Sequence, residues 1–525
     1  MVDKPDAGLR SLNHYRNQLP SWRYWPRQKL LPLVRYETPY LAWLQEKVRT
    51  PAFDSYFAFT ANLGTHTFFM VFLPILFWSG YDRLGRGMVH LLASGVFISG
   101  FIKDLLCLPR PLSPPLQRIT MSGSAALEYG FPSTHSTNAV SVAMYALNLL
   151  NSADATLSPH VNMILQFITY LYVTSIVLGR LYCGMHGFFD VVVGSLLGIL
   201  LAFIQYTCGP AIEEYAVAGH EKEVVAVVLI ILVLVRIHPE PADDCPCFDD
   251  SVAFAGVLLG AQAAYWHVSL TSRNFAANPI PYRIEYLGLL KTGLRLVIGV
   301  LLLFAWRASM KPFLLRILPP VFRGLEKLGL LLPRRFFTKA SEYTIVPAHL
   351  KDHEVLPSFS DIPSILTNLR HPRRRAVSVG PQSEADAYET LAYREKRRRE
   401  SLSSGKRPTP VSELSNHNGS TATDGEPTLS RKQSKLHEYE NMMGTGSPRI
   451  ATAIDSPSHA PPLTEPFPDL QPEPNEDEVF SQIKRPRVRY DVEVVTKLVV
   501  YSGRISYIVS PSELLLIAAQ QESRG

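Results

Sequence analysis

The sequence predicts an all-α membrane protein, a polytopic helix bundle with about eight spanning helices followed by a disordered tail. Of its 525 residues 46% are hydrophobic, yet it also contains 41 prolines and 52 basic residues, so the apolar residues must be concentrated in part of the chain. They lie mainly between Asn62 and Trp306. A bilayer core requires about 20 apolar residues per helix. Since lipid offers the backbone no hydrogen-bond partners, such segments must be helical.

The predicted transmembrane domain, 61–310, divides into apolar segments separated by short polar breaks. Most of these segments are long enough to cross a bilayer, and the short segment 221–236 is almost purely Val, Ile and Leu after a charged start. The predicted spans lie near residues 63–80, 87–103, 136–151, 161–179, 187–207, 221–236, 251–270 and 285–307.

The segments on either side of this domain are less apolar. The N-terminal polar and interfacial segment, 1–60, contains a stretch from Leu30 to Leu44 that fits an amphipathic helix at the bilayer surface or an ordinary soluble helix. It has no apolar run suited to a cleavable signal peptide. In 311–355, basic residues and prolines interrupt an apolar run. This pattern predicts an interfacial amphipathic segment, with a further span as the alternative.

The chain becomes polar after this segment and apolar again at its end. Region 356–488 is rich in Ser, Thr, Pro, Asn and Glu, and we expect disorder because it cannot bury enough apolar area to offset its conformational entropy. Ser378 and Ser434 follow basic residues there and are candidate phosphorylation sites. The C-terminal hydrophobic segment, 489–525, allows either a further hydrophobic helix or a docking strand.

Charge and cysteine content argue against other classes of protein. The formal charge is only +6 and the basic residues occur in short clusters, which does not favour a nucleic-acid partner. The five cysteines show no paired framework and no Cys-x-x-Cys spacing. Cys245 and Cys247 lie in an acidic loop, which we interpret as a solvated turn rather than a cation site. We therefore expect no metal and no other cofactor.

Three clusters of ionisable residues stand at the predicted ends of spans. Such groups are costly at membrane depth, so a functional role is the first interpretation. Lys103–Pro111 (KDLLCLPRP) closes the second span, Tyr129–Ser136 (YGFPSTHS) opens the third, and Gly179–Asp190 (GRLYCGMHGFFD) lies between the fourth and fifth. In the last cluster His186 is four residues before Asp190, so on a helix the two would share a face.

The clusters are more informative together than separately, since each alone could be a helix cap or a positive flank of a span. Alternate helix ends face the same side of the membrane, so together they supply three cations, two histidines, a carboxylate and helix-start amides. These groups suit phosphoryl transfer by positioning and electrostatics, with Lys and Arg neutralising the phosphate in place of Mg²⁺. The chain has no cysteine followed six residues later by arginine and no Asp-x-Asp pair, which leaves histidine as the nucleophile.

The three clusters resemble the signature of the type 2 phosphatidic acid phosphatase superfamily: Lys-x6-Arg-Pro, then Pro-Ser-x-His, then Arg-x5-His-x3-Asp. Two positions depart from the general pattern, because Thr134 stands where most members have Gly and Gly179 where most have Ser. Thr134 and its neighbours resemble the fungal-type branch that acts on sphingoid long-chain-base 1-phosphates. The matching residues are Lys103, Arg110, Pro111, Pro132, Ser133, His135, Arg180, His186 and Asp190.

This resemblance implies a role for each residue of the site. His186 is expected to be the nucleophile, oriented by Asp190, and His135 the general acid that protonates the leaving alkoxide. The expected phosphate-binding groups are Lys103, Arg110, Arg180, Ser133 and the backbone amides of Ser133 and Thr134.

The resemblance also implies a substrate and a location. The substrate would be dihydrosphingosine or phytosphingosine 1-phosphate, in the endoplasmic reticulum membrane, with the site facing the lumen. Arginines before the first span favour the cytoplasm under the positive-inside rule. Two alternatives stay open: a broader lipid phosphatase acting on phosphatidate or isoprenoid diphosphates, and a non-catalytic lipid-binding or transport protein of the same fold.

Overall fold

The computed structural model of the chain consists of helices throughout its described part. No β-strand is present in those residues, and an isolated parallel β bridge joins Thr338 to Tyr490. The all-α class is therefore confirmed for the described residues, while the tail predicted to be disordered, 356–488, lies outside them. The described residues are 8, 12–79, 81–113, 115–119, 128–152, 157–218, 221–243, 245–271, 284–330, 337–344, 346 and 489–503.

The helices begin where the sequence provides local capping groups. The hydroxyls of Thr50 and Ser158 each accept a hydrogen bond from an N–H group in the first helical turn, and a proline follows each. In chain order the helices are α1 (Leu12–Gln18), α2 (Ser21–Val48), α3 (Pro51–Leu63), α4 (His66–Trp78), α5 (Asp82–Leu106), α6 (Thr134–Leu150), α7 (Pro159–Tyr182), α8 (Phe188–Ala218), α9 (Glu221–Ile237), α10 (Cys247–Thr271) and α11 (Ile284–Lys327).

Four of these helices are long and apolar enough to cross a membrane, within the described residues. They are α5, α7, α8 and α11. A fifth candidate is formed by α3 and α4 together, which are bent by 53° at the break between them. The prediction of a polytopic membrane protein thus agrees with the helix lengths and compositions.

Each of the other predicted spans also coincides with a helix, but these helices are shorter or less apolar. Helices α6 and α9 have 17 residues each. A helix of that length rises about 26 Å, less than the bilayer core of about 30 Å. Helix α10 is long enough but less apolar. The number of eight spans therefore stays a prediction.

Helices α6 and α8 approach each other closely because small residues line their contact. A Cβ atom built on Gly194 would lie 2.6 Å from the carbonyl oxygen of Ser133, and one on Gly198 would lie 2.5 Å from that of Thr137. Thr137 also donates its hydroxyl to the carbonyl of Gly194 at 2.9 Å. Small residues that admit a close backbone approach are typical of helix contacts in membranes. This contact fixes the start of α6 against the start of α8.

Helix α2 reaches the ends of three other helices. Arg23 donates to a main-chain carbonyl at the end of α5 at 3.0 Å, and Gln45 donates to the last carbonyl of α7 at 2.8 Å. Glu37 accepts from a main-chain N–H in the first turn of α8 at 2.9 Å. The helix predicted from 30 to 44 is thereby confirmed, while its position at the bilayer surface stays a prediction. Its exposed aromatic residues are Trp22, Trp25, Tyr36, Tyr40 and Trp43.

The C-terminal part of the described chain differs from the sequence-based boundaries. Helix α11 continues to Lys327, so no helix ends at the predicted boundary between 310 and 311. An interfacial location of 311–355 stays a prediction. Residues 492–503 are helical, which favours the helix over the docking strand for the described part of 489–525. The preceding Tyr490 makes the bridge to Thr338.

The two cysteines before and at the start of α10 are buried together with Asp243, so the prediction of a solvated turn is wrong for these residues. Cys245 and Cys247 are joined by a disulfide and are at most 3% exposed. Nearby, the hydroxyls of Tyr15 and Tyr129 donate to Oδ2 of Asp243 at 2.8 and 3.0 Å. The sequence did not indicate this burial because the acidic side chain finds its partners in two distant segments of the chain. Tyr129 thereby anchors the segment that leads into α6.

Candidate active site

The ends of four helices carry the ionisable residues predicted from the sequence. Lys103 lies in the last turn of α5, Ser133 caps α6, Arg180 lies in the last turn of α7, and Asp190 lies in the first turn of α8. All four side chains are buried. The alternate helix ends thus lie on one side of the bundle. The connecting segments add two more residues to this side: Arg110, between α5 and α6, and His186, between α7 and α8.

The imidazole of His186 has a defined tautomer. Its Nδ1 is 2.9 Å from the carbonyl oxygen of Gly130, which can only accept, so Nδ1 carries the hydrogen. Nε2 then carries the lone pair, which accepts from NH1 of Arg110 at 3.1 Å. Oδ2 of Asp190 is 3.7 Å from Nδ1, too far for a hydrogen bond. Asp190, which the sequence predicts to orient the imidazole, is therefore farther from Nδ1 than the Gly130 carbonyl.

The surroundings of His186 favour its neutral form. Burial lowers the pKa of His186 well below its ordinary value, and the positive charges of Arg110, Lys103, Arg180 and His135 lower it further. Burial also lowers the pKa of Arg110, to about 10, so its guanidinium keeps its charge at neutral pH. A neutral imidazole beside charged groups is suited to nucleophilic attack on an anion.

A carboxylate that the sequence analysis missed lies among these cations. Oε2 of Glu128 is 2.8 Å from Nζ of Lys103 and 3.5 Å from NH2 of Arg110. The main-chain carbonyl of Glu128 also accepts from Nε of Arg110 at 3.0 Å. The only signal in the sequence was its position directly before the Tyr129–Ser136 cluster, which is too weak to identify a site residue.

A second missed carboxylate helps to hold the start of α8. Oδ2 of Asp190 accepts from the N–H of Gly187, and Oε1 of Glu37 accepts from the N–H of Phe189, both at 2.9 Å. Burial raises the pKa of Glu37 above its ordinary value. Glu37 is distant in sequence, on α2, so no local pattern could link it to the site. The main contact of the Asp190 carboxylate is therefore this capping hydrogen bond at the start of α8. Its Oδ2 also faces the imidazole of His186, but at a distance too long for a hydrogen bond.

The start of α6 offers fewer groups to an anion than the sequence suggested. The amide of Ser133 donates to the carbonyl of Asp190 at 3.0 Å. This N–H group is therefore already used, which does not fit the prediction that it binds phosphate. The Ser133 hydroxyl accepts from the amide of Ser136 at 3.3 Å and keeps its own hydrogen for another acceptor. The hydroxyl of Thr134 bonds that of Ser99 at 2.8 Å, which leaves its backbone amide as the group predicted to bind phosphate.

Arg180 and His135 complete the predicted set and differ in exposure. Arg180 is buried, and its Nε has no hydrogen-bond partner among the described residues. An unpartnered buried nitrogen is costly, so this guanidinium is suited to an anion that enters the site. His135 is partly exposed in the first turn of α6, and a Cβ atom built on Gly64 would lie 3.2 Å from its Cδ2. Its ring therefore packs at the break between α3 and α4.

Comparison with known proteins identifies a family and several relatives. Residues 84–213 match the PAP2 superfamily. The chain is 40% identical over 331 residues to a dihydrosphingosine 1-phosphate phosphatase of Schizosaccharomyces pombe, covering 62% of this chain and 80% of the relative. It is 35% identical over 302 residues to one of Saccharomyces cerevisiae, covering 58% and 73%. Human sphingosine-1-phosphate phosphatase 2 is 27% identical over 316 residues, covering 57% and 77%. No solved structure matches the chain.

The apolar helices of the described residues and the names of the matched relatives together identify a helical membrane phosphatase. The chain belongs to the PAP2 superfamily. The resemblance stated from the three sequence clusters is thereby confirmed, and the match includes all three of them.

Proposed function

We propose that the protein is a metal-independent lipid phosphate phosphatase that hydrolyses sphingoid base 1-phosphates, such as dihydrosphingosine and phytosphingosine 1-phosphate, to the free base and phosphate. The names of the two yeast relatives support this substrate class. The observation that carries the chemistry is the tautomer of His186, whose Nε2 lone pair lies beside the charged guanidinium of Arg110. This atom is the proposed nucleophile.

In the first step, the N–H of Arg110 moves from Nε2 of His186 to a phosphoryl oxygen of the bound substrate, which frees the Nε2 lone pair. Nε2 then forms a bond to phosphorus as the bond between phosphorus and the ester oxygen breaks. The leaving alkoxide is a poor leaving group, and His135 gives it a proton. Lys103, Arg110 and Arg180 stabilise the charge that develops on the phosphoryl oxygens. The product is the free base, with the phosphoryl group held on His186.

In the second step, water attacks phosphorus and the bond between phosphorus and Nε2 breaks, which releases phosphate. His135, now unprotonated, takes a proton from the water. While it carries the phosphoryl group, the imidazole of His186 is stabilised through Nδ1 by the Gly130 carbonyl at 2.9 Å and the Asp190 carboxylate at 3.7 Å. The Ser133 hydroxyl and the Thr134 amide are the remaining proposed phosphate contacts.

The charge needed for both steps comes from side chains in this proposal. Two buried cations, Lys103 and Arg110, share the carboxylate of Glu128, and Arg180 is buried without a partner for its Nε among the described residues. Guanidinium groups match phosphate geometry well and hold their charge at neutral pH. A divalent cation is therefore not required to neutralise the substrate.

Turnover in the presence of a chelator tests the substrate and the metal independence together. Membranes that contain the protein are expected to hydrolyse labelled dihydrosphingosine 1-phosphate at an unchanged rate when EDTA is added, because Lys and Arg supply the charge. Equimolar phosphatidate should leave most of this turnover intact. Loss of turnover with EDTA would contradict metal independence, and preferred hydrolysis of phosphatidate would favour the broader lipid phosphatase.

We also propose that the protein spans the endoplasmic reticulum membrane eight times, with the site toward the lumen. The position of the catalytic groups at alternate helix ends supports a single side for the site. A glycosylation sequon introduced next to Leu157, in the exposed connection before α7 on the opposite side, should stay unmodified. Its glycosylation in microsomes would reverse the proposed orientation.

A further inference from the structure

Glu128 places a negative charge where the substrate phosphate must bind. Its carboxylate contacts the two cations, Lys103 and Arg110, and the same guanidinium contacts Nε2 of His186 at 3.1 Å. The Glu128 side chain is 20% exposed, whereas those of Lys103 and Arg110 are 3% and 4% exposed. The carboxylate thus lies on the more open side of the cations, next to the position of a phosphoryl group under attack by His186.

A phosphate in this position changes the charge balance around Glu128. Before it binds, the two cations neutralise the carboxylate; afterwards they face a dianion as well, and Glu128 is repelled by it. Part of the binding energy of any simple phosphate ester is lost to this repulsion. A substrate that carries its own positive group close to the phosphate avoids the loss, because that group can pair with Glu128.

The main chain holds Glu128 in place, so repulsion alone would not remove it from the site. Its carbonyl accepts from Nε of Arg110 at 3.0 Å. The next residue, Tyr129, is fully buried, and its hydroxyl donates to Asp243 at 3.0 Å. The main chain thus keeps Glu128 next to the phosphate-binding cations, where its carboxylate can reach a positive group of the substrate.

We propose that Glu128 binds the ammonium group of the sphingoid base and so selects for amino lipid phosphates. The inference rests on the proposed function. Only the ester oxygen and two carbon atoms separate phosphorus from nitrogen in these substrates, which suits a carboxylate that lies beside the phosphate-binding cations. Selectivity then has two sources: attraction to the ammonium group and repulsion of phosphates that lack it.

The test compares two substrates in one preparation. They are dihydrosphingosine 1-phosphate and its N-acetyl derivative, which keeps the phosphate but has no ammonium group. The full-length protein and the Glu128→Gln variant are assayed with both. The ratio of kcat/KM values for the free amine and the acetylated lipid is expected to fall about ten- to a hundredfold in the variant, the range for a hydrogen bond to a charged group. The ratio does not depend on the folded fraction.

Control variants separate this role from others. Glu128→Asp, which keeps the charge, should retain part of the preference, and Glu46→Gln, at an exposed position on α2, should keep the wild-type ratio. An unchanged ratio in Glu128→Gln would overturn the proposal. An equal gain in rate for both lipids would overturn it too, because it would mean that Glu128 only competes with phosphate for the cations. If the wild-type protein hydrolyses neither lipid, the proposed function itself fails.

Discussion

Replacing His186 by glutamine is expected to lower kcat/KM at least about a thousandfold, because removal of a nucleophile that acts with other groups takes away most of the catalysis. Glutamine can still donate to the Gly130 carbonyl, which His186 contacts at 2.9 Å. It has no lone pair on a ring nitrogen, so no phosphoryl intermediate can form. The remaining turnover should be close to that of membranes without the protein.

Rapid quenching with ³²P-labelled substrate measures the intermediate directly. Wild-type protein should show an acid-labile, alkali-stable label, as expected of a phosphohistidine, and the His186→Gln variant should show none. The matched control is His160→Gln, in the exposed first turn of α7, which should retain both label and turnover. Labelling of the His186→Gln variant at the wild-type level would assign the nucleophile to another residue.

The second large effect is expected for Arg110→Lys, which keeps the charge but should lower kcat/KM at least about a hundredfold. The guanidinium makes contacts in several directions: NH1 with the carbonyl of Met185 at 2.7 Å and with His186 at 3.1 Å, and Nε with the carbonyl of Glu128 at 3.0 Å. A lysine ammonium cannot reproduce this planar set. The variant should therefore lose the alignment of nucleophile and phosphate as well as part of the binding.

Competitive inhibition by inorganic phosphate distinguishes a loss at the site from a loss of folded protein. The inhibition constant for phosphate should rise in Arg110→Lys, whereas it should stay unchanged in Arg316→Lys, at an exposed position on α11. Wild-type kcat/KM together with a wild-type inhibition constant in Arg110→Lys would mean that charge alone is sufficient at this position.

Features that depend on local sequence could be predicted. The positions of the long helices could be predicted from the apolar segments, because the length and composition of such a segment do not depend on distant residues. The Pro-Ser-Thr run at Ser133 predicted the start of α6, and the glycine-containing turn between two apolar segments predicted the break between α7 and α8. These helix ends brought the predicted residues together without any knowledge of the packing between helices.

Contacts between distant segments could not be predicted. The partner of His186 Nδ1 is a main-chain carbonyl, and the sequence carries no information on which carbonyl it is. Glu37 and Glu128 reach the site through the packing of α2 and of the segment before α6. The number of spans could not be predicted either, because a helix of 17 residues such as α6 is marginal in length for a bilayer.

The contacts of α2 extend the supports of the proposed active site beyond the region that matches the family. The family match covers 84–213, but the ends of α5, α7 and α8 are held by Arg23, Gln45 and Glu37, all upstream of it. A shortened protein that begins at the family boundary would retain every residue of the proposed chemistry and lose these supports. Variants of Arg23, Glu37 or Gln45 should accordingly alter the proposed active site through the helix ends that these residues hold.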